Sequence, residues 1–223
     1  MTTSLLNSLL RALLRWGAAL VFCLPLRHRS HFWVRACGML FPLLLLAQLL
    51  DPLAQSTTLW QQQLLLLVLY ISFFALLGGM IYLCTDINKE GAMYCAVWSL
   101  LIAQCAYEGW CFLELQFARY GHPLNMASPW AVLVQLLSGA VFFAAVYILL
   151  ARQLPYKGEY HIGPRQLFSA FFIGILFMVQ AAVLDNFRAE QFPRSVIATI
   201  LIGQFYFITL LYFQSELFKK SAM

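Results

Sequence analysis

The chain has 223 residues, of which 62% are hydrophobic and only 10% are charged, and its net charge is +5 at pH 7. A soluble domain carries about 25% charged residues, so this composition excludes a soluble globular protein. Apolar runs of about 20 residues, long enough to cross a bilayer as helices, recur along the sequence. The few positive charges are scattered, which argues against nucleic-acid binding. The composition therefore predicts an all-α integral membrane protein.

Seven hydrophobic segments predict one bundle of transmembrane helices, a single domain over residues 1–223. The first segment, at about 5–26, contains Arg11 and Arg15 one helical turn apart. It either spans the membrane, which we prefer, or lies flat as a basic amphipathic helix. The second case leaves six spanning helices and one interfacial helix. The other helices are predicted at 36–53, 64–84, 91–117, 131–151, 167–184 and 195–218.

Lysine and arginine are unevenly divided between the two ends of the predicted bundle. One end, with the loops at 27–35, 85–90 and 152–166 and the C-terminus, carries nine: Arg27, Arg29, Arg35, Lys89, Arg152, Lys157, Arg165, Lys219 and Lys220. The opposite loops carry three: Arg119, Arg188 and Arg194. Because cytoplasmic loops are enriched in these residues, the C-terminus is predicted to lie in the cytoplasm.

The fourth segment, GAMYCAVWSLLIAQCAYEGWCFLELQF, carries Gln104, Glu108 and Glu114. A carboxylate at the centre of a span costs roughly 2.5–3.5 kcal/mol, so Glu108 is predicted to be functional. Gln104 shares its helix face because the two are four residues apart. If the first segment spans, Arg15 reaches a similar depth and is a candidate to neutralise Glu108. The structural alternative is a protonated Glu108 that only hydrogen-bonds a neighbouring helix.

Most of the remaining intramembrane polar residues fall in the outer halves of their helices, and the inner halves are apolar away from their ends. This layout predicts a pocket open to the outside and not the continuous polar path of a transporter or channel. Isolated interhelical hydrogen bonds are the structural alternative. One net carboxylate in the pocket favours a cationic or amphipathic peptide as ligand. The candidate ligand-binding residues are Glu108, Gln104, Arg15, Gln48, Gln135 and Gln180.

Recognisable catalytic and metal-binding patterns are absent from the sequence. It has no nucleophile elbow, H-E-x-x-H or P-loop motif, so no catalytic residue is predicted. Six cysteines lie in or at the ends of apolar segments without C-x-x-C spacing or a nearby His ligand. They are predicted to pack as small apolar residues. We therefore expect no metal or cofactor.

Four stretches carry the most distinctive motifs: LPLRHRSHFWVRACG (24–38), CTDINKEGAMYCAVW (84–98), RQLPYKGEYHIGPRQ (152–166) and LYFQSELFKK (211–220). Together they resemble the N-terminal membrane domain of bacterial sensor histidine kinases of the GHKL-ATPase class, which includes peptide-pheromone receptors. The resemblance covers nearly the whole chain. Its specific motifs lie in the loops, because apolar helices of many membrane proteins resemble one another. It implies the signal-sensing input module of a two-component system in the bacterial cytoplasmic membrane.

The resemblance also sets expectations about partners. Such kinases continue into a helix with the phosphorylated His and then an ATP-binding domain, whereas this chain ends where that helix would begin. No enzymatic activity is therefore expected of this chain, which would work through a kinase domain or partner kinase and a response regulator. In such kinases the fourth segment usually carries a Gln-His pair, and this chain has Gln104-Cys105 at that position.

The last segment is the predicted output element. Leu210, Phe213 and Leu217 repeat at about the spacing of a coiled-coil seam, which predicts a homodimer through the C-terminal helix. Three other functions stay open on the sequence: a small transporter or transporter subunit, an intramembrane enzyme, and a kinase-less fragment without activity of its own.

Overall fold

The structure is a computed structural model that describes residues 2–55, 59–119, 129–153, 162–187, 202–206 and 208–213. Within these ranges the chain is helical, apart from short loops and one isolated backbone bridge, which confirms the all-α class. Two helical stretches at 202–206 and 208–213, together called the C-terminal stretch, end the described part. The preceding helices are α1 (Thr2–Cys23), α2 (Phe32–Gly38), α3 (Leu40–Gln55), α4 (Leu59–Cys84), α5 (Lys89–Arg119), α6 (Pro129–Leu149), a 3-10 helix (Ala151–Gln153) and α7 (Pro164–Phe187).

Several of these helices have the length and apolarity of membrane spans. Among the residues that the structure describes, four such spans are found: Phe32–Leu49, Leu67–Cys84, Lys89–Glu114 and Trp130–Leu149. Pro164–Phe177 and Ile202–Phe213 are shorter apolar helices. This is the architecture of a multi-pass membrane protein. Seven spanning helices, with α1 among them, stay a prediction, since α1 is not one of the four.

The second predicted segment consists of two helices, not one. α2 ends at Gly38 and α3 begins at Leu40, with Met39 between them. Pro42 lies in the first turn of α3 and has no backbone N–H to donate to the carbonyl of Gly38, and its ring would clash there. The proline therefore prevents α2 from continuing into α3, and the sequence-based boundary at residue 36 falls inside α2.

Helix α5 lies at the centre of the bundle. It packs against α1, α4, α6 and α7, and its residues from Tyr94 to Cys105 are all buried. Small residues allow close approach of the surrounding helices; a Cβ on Gly174 of α7 would lie 3.3 Å from Val97 of α5. α6 is peripheral, with only 11% of its apolar span buried. The helix with the most polar residues is thus the one shielded best from lipid.

The loops that precede α2 and α5 pair with each other through their backbones. Arg29 N donates to the carbonyl of Cys84 at 3.0 Å, and Asp86 N donates to the carbonyl of Arg27 at 2.8 Å. These bonds flank the bridge between His28 and Thr85. We call this pairing the junction. It joins two of the four stretches on which the resemblance rests.

Basic side chains at the junction cap the C-termini of two helices. Arg35 Nη1 donates to the Leu83 carbonyl at 2.8 Å, and His28 Nε2 lies 3.2 Å from the Cys23 carbonyl. Both carbonyls are in last turns, where intrahelical donors are missing and the helix dipole is negative. The ends of α1 and α4 are therefore held at the same level as the start of α5.

Candidate functional site

Buried and half-buried polar side chains of α1, α4 and α5 meet within the bundle. We call this set the polar cluster: Arg11 and Arg15 from α1, Tyr70 from α4, and Gln104, Tyr107 and Glu108 from α5. α1 packs along α5, and residues four apart lie on one helix face. The two arginines of α1 are therefore presented together, as are Gln104 and Glu108 on α5.

Gln104 connects the carboxylate of the cluster to α4. Its Nε2 donates to Glu108 Oε1 at 3.0 Å, and its Oε1 accepts from Tyr70 Oη at 3.5 Å, a long hydrogen bond. Gln104 is 5% exposed and Glu108 2%. A carboxyl group this deep requires hydrogen-bonding partners to offset its desolvation, and Gln104 provides one from the adjacent turn.

Arg11 binds the aromatic residue next to Glu108. Its Nη2 donates to Tyr107 Oη at 2.9 Å, and its Cζ lies 4.7 Å from the centroid of the same ring. The Arg11–Tyr107 contact joins residues that are 96 positions apart in the chain. It fixes one turn of α1 against one turn of α5.

Arg15 is accommodated by aromatic rings of α4. Its Cζ lies 3.9 Å from the centroid of Phe73 and 5.9 Å from that of Tyr70, and the residue is only 4% exposed. A guanidinium over an aromatic face gains about 2 kcal/mol or more when it is desolvated. This stacking allows a charged side chain to lie inside an apolar bundle.

A small cavity lies at the middle of the cluster. Its volume of about 10 Å³ is roughly the minimum that holds a single water molecule. Any larger ligand must therefore displace the helices that line the cavity, α1, α4 and α5. The two guanidiniums also outnumber the single carboxylate of the cluster, so the expectation of one net negative charge in the pocket does not describe this arrangement. The cavity is lined by Arg11, Leu14, Arg15, Tyr70, Ala103, Gln104 and Tyr107.

The structure brings together three of the six predicted ligand-binding residues. Arg15 and Gln104 line the cavity, and Glu108 is bonded to Gln104. Gln48 is exposed on α3. Gln135 is buried on α6 and Gln180 half-buried on α7, and neither lines the cavity.

Sequence reasoning missed Arg11, Tyr70 and Tyr107 as members of the site. The sequence holds signals for two of them. Arg11 precedes Arg15 by one turn, and Tyr107 follows Gln104 by three residues, so each shares a helix face with a predicted site residue. Nothing in the sequence pairs Tyr70 with Gln104, because that contact depends on how α4 and α5 align.

The predicted output residues lie at the surface where they are described. Leu210 is 39% and Phe213 61% exposed, whereas Leu211 is buried in the main core. Leu217 lies outside the described residues. The exposed face is available to a partner helix, and the coiled-coil seam stays a prediction.

The fold and the cluster define a multi-pass helical protein with charged groups buried between three helices. In the part of the chain that the structure describes, no three His, Cys, Asp or Glu residues are grouped to hold a metal ion. No known protein family, curated protein or solved structure matches the chain.

Proposed function

We propose that this chain is the membrane-embedded input module of a two-component sensor histidine kinase, with the polar cluster as its ligand-responsive element. The observation that carries the proposal is the burial of Arg15 and Glu108 in one cluster shared by α1, α4 and α5. Intramembrane ionisable residues are expensive and mark functional sites by default. A ligand that binds one arrangement of these residues more tightly than another shifts the helices that carry them toward that arrangement.

The packing supports a route from the cluster to the output helix. Movement of α1 against α5 acts on the junction, where the C-terminus of α1 and the N-terminus of α5 are held together. The C-terminal stretch is reached through the core, because Leu211 belongs to the same buried set as Leu101 and Ile102 of α5. The proposed output is a displacement of this stretch.

A transporter is the second candidate, and the described helices favour it less. Transport needs a polar path through both halves of the membrane. Between Ala92 and Leu101, the half of α5 nearer the junction buries only two hydroxyl-bearing residues, Tyr94 and Ser99. Ser99 Oγ donates to its own helix at the Cys95 carbonyl, at 2.8 Å. The polar cluster thus has no continuation along this face of α5.

The proposal includes the partners of such a module. These are a second copy bound through the C-terminal helix, a kinase domain or partner kinase, and a response regulator, in the cytoplasmic membrane of a bacterium. The ligand is a small amphipathic molecule, for example a peptide, that reaches the cluster from the outside.

A fusion of the full chain to a dimeric GHKL kinase core tests this function. We expect Glu108→Leu to change the autophosphorylation rate in proteoliposomes, because it removes the acceptor of Gln104. Glu108→Gln keeps hydrogen bonding and should have a smaller effect. Gln48→Leu, an exposed glutamine outside the cluster, is the control. Equal rates for wild type and all three variants would count against a sensing role.

A further inference from the structure

The ends of three apolar spans meet at the junction. Leu67–Cys84 ends there, and Phe32–Leu49 and Lys89–Glu114 begin there. The backbone bonds between the two loops of the junction hold these ends at one level. A spanning segment ends where the hydrocarbon of a bilayer gives way to the headgroups. The junction is therefore expected at headgroup depth when the bundle lies in a bilayer.

Helix α2 presents an apolar face outward at this level. Its inner residues Phe32 and Ala36 are buried, and Trp16 Nε1 donates to the Ala36 carbonyl at 2.7 Å, which fixes α2 to α1. The outer face carries Trp33, which is 60% exposed, and Val34, which is 72% exposed. Tryptophan is enriched at membrane–water interfaces because its ring is apolar and its N–H is polar. This face is therefore suited to contact lipid chains just below their headgroups.

Positive charge exceeds negative charge beside this face. The junction and α2 carry four basic residues, Arg27, Arg29, Arg35 and Lys89, and two acidic residues, Asp86 and Glu90. Arg29 Nη2 lies 3.8 Å from Asp86 Oδ1, which is a long ion pair. Arg27 and Lys89 are exposed, and neither has a carboxylate within 4 Å among the residues that the structure describes. Their charges are therefore available to an anion from outside the chain.

Two of these cations are presented together. Successive side chains of an extended backbone point to opposite sides, and alternate residues are about 7 Å apart. His28 lies between the two arginines in the bridge with Thr85. Its Nε2 is 3.2 Å from the Cys23 carbonyl, which draws the ring toward the end of α1. Arg27 and Arg29 therefore share the other side of the junction, close enough for one phosphate group to contact both.

We propose that the junction and the outer face of α2 bind an anionic phospholipid, with Arg27, Arg29 and Lys89 on its phosphate and Trp33 and Val34 on its chains. Basic side chains form strong charge-assisted hydrogen bonds to phosphate. A headgroup with net negative charge is favoured, because the ammonium of a zwitterionic headgroup would meet the same positive charges. A soluble anion would leave the apolar face without a partner. The surface is separate from the polar cluster, and the inference stands whether or not the chain is a sensing module.

Native mass spectrometry of the full chain in detergent tests the preference for an anionic lipid. The protein is titrated with phosphatidylglycerol and, separately, with phosphatidylcholine of the same acyl chains. We expect the apparent affinity for phosphatidylglycerol to be about tenfold higher or more, because several basic residues contribute. Equal affinities would overturn the proposal. Water-soluble glycerol phosphate should not displace the lipid; displacement would assign the surface to a soluble anion and would also contradict it.

Three arginine or lysine variants locate the binding surface. Arg27→Gln and Lys89→Gln each remove an exposed charge, and each should lower the affinity for phosphatidylglycerol about fivefold, the effect of one basic residue at an anionic surface. Arg152→Gln is the matched control. Arg152 is exposed and predicted at the same end of the bundle, but its 3-10 helix packs on α6, whereas α2 packs on α3 and α4. Its affinity should equal that of wild type. Equal losses in all three variants would show an effect of overall charge and would contradict a local surface.

A native cysteine tests whether a second copy of the chain covers α2 instead. Cys37 is exposed on α2 and lies one helical turn from Trp33 on the same face. Membranes containing the full chain are treated with a mild oxidant and analysed without reducing agent. We expect a monomer, because lipid covers this face. A disulfide-linked dimer that is lost in Cys37→Ser would show a protein interface there and would overturn the proposal.

Discussion

Gln104 holds the polar cluster together because it donates to Glu108 and accepts from Tyr70. We predict that Gln104→Leu lowers the free energy of unfolding by about 1–3 kcal/mol, since it leaves two buried polar groups short of a partner. Gln48→Leu, at an exposed site on α3, should be close to neutral. Thermal unfolding in one detergent measures both. Equal effects of the two substitutions would show that Gln104 has no special role.

The stacking of Arg15 on Phe73 is a second residue-scale prediction. A double-mutant cycle of Arg15→Met and Phe73→Leu should give a coupling energy of about 0.5–2 kcal/mol. Phe74 packs instead on Phe171, with ring centroids 5.4 Å apart, so a cycle of Arg15→Met with Phe74→Leu should be additive. Thermal unfolding in the same detergent measures both coupling energies. Coupling energies of similar size in the two cycles would refute a specific contact between Arg15 and Phe73.

At this scale the sequence predicts which residues are unusual, but not what they touch. The spacing of Gln104 and Glu108 and the charge of Arg15 are enough to single them out, because a bilayer penalises such residues. The aromatic partners of Arg15 are hidden among many similar apolar residues in α4. Their role depends on the rotation and depth of α4 relative to α1, which hydropathy does not specify.

Among the elements, the N-terminus of α5 is fixed by a side-chain cap. Asn88 Oδ1 accepts from the Gly91 N–H at 2.8 Å, the arrangement of an N-cap residue. A Cβ on Gly91 would lie 2.7 Å from this oxygen and from Ile87 Cδ1. The glycine therefore leaves room for the cap.

We predict that Gly91→Ala destabilises the protein by about 1–3 kcal/mol, because the methyl group forces the cap or Ile87 to move. Gly79→Ala is the matched control. Gly79 lies inside α4 with no atom within 4 Å of an added Cβ, so the change should be neutral or stabilising by about 0.5–1 kcal/mol. Thermal unfolding of both variants measures the two effects. A loss of stability in Gly79→Ala alone would contradict the proposed role of Gly91.

The existence of the helices can largely be predicted from the length of the apolar runs, whereas the residues at which they begin and end cannot. The predicted helix at 36–53 is divided at Met39, a break that the position of Pro42 explains but that a run of apolar residues conceals. α1 is the opposite case. Its arginines lower its apolar character, and only its packing on α5 and the aromatic faces of α4 shows that Arg15 is buried and Arg11 half-buried within the protein.

For the whole molecule, the charge distribution makes a testable statement on topology. In a cysteine-free background, Lys89→Cys should react with an impermeant maleimide only after cells are permeabilised, because the junction is predicted to face the cytoplasm. Trp130→Cys, at the start of α6, should react in intact cells. Both positions are exposed. The reverse labelling pattern would invert the orientation. The basic loop at 152–166, largely outside the described residues, is predicted to lie on the same side as the junction.

The central position of α5 could not be derived from hydropathy. α5 holds three of the six members of the polar cluster, yet it is the most buried span, at 67%. In a bilayer, polar side chains turn toward protein because lipid offers no partner. Helix order around α5 depends on side-chain shape, and a single sequence does not encode it in any simple pattern.

The contact between Arg11 and Tyr107 also bears on how the protein is made. The ribosome completes α1 well before its partner, because 96 residues separate the two. At 5–20 residues per second this is a delay of roughly 5–20 s. During that time α1 has no buried site for its two guanidiniums, and a basic amphipathic helix rests at the membrane surface. We therefore predict that the two sequence-based interpretations of the first segment, flat and spanning, describe successive stages in the biogenesis of one helix, and that the emergence of α5 separates these stages.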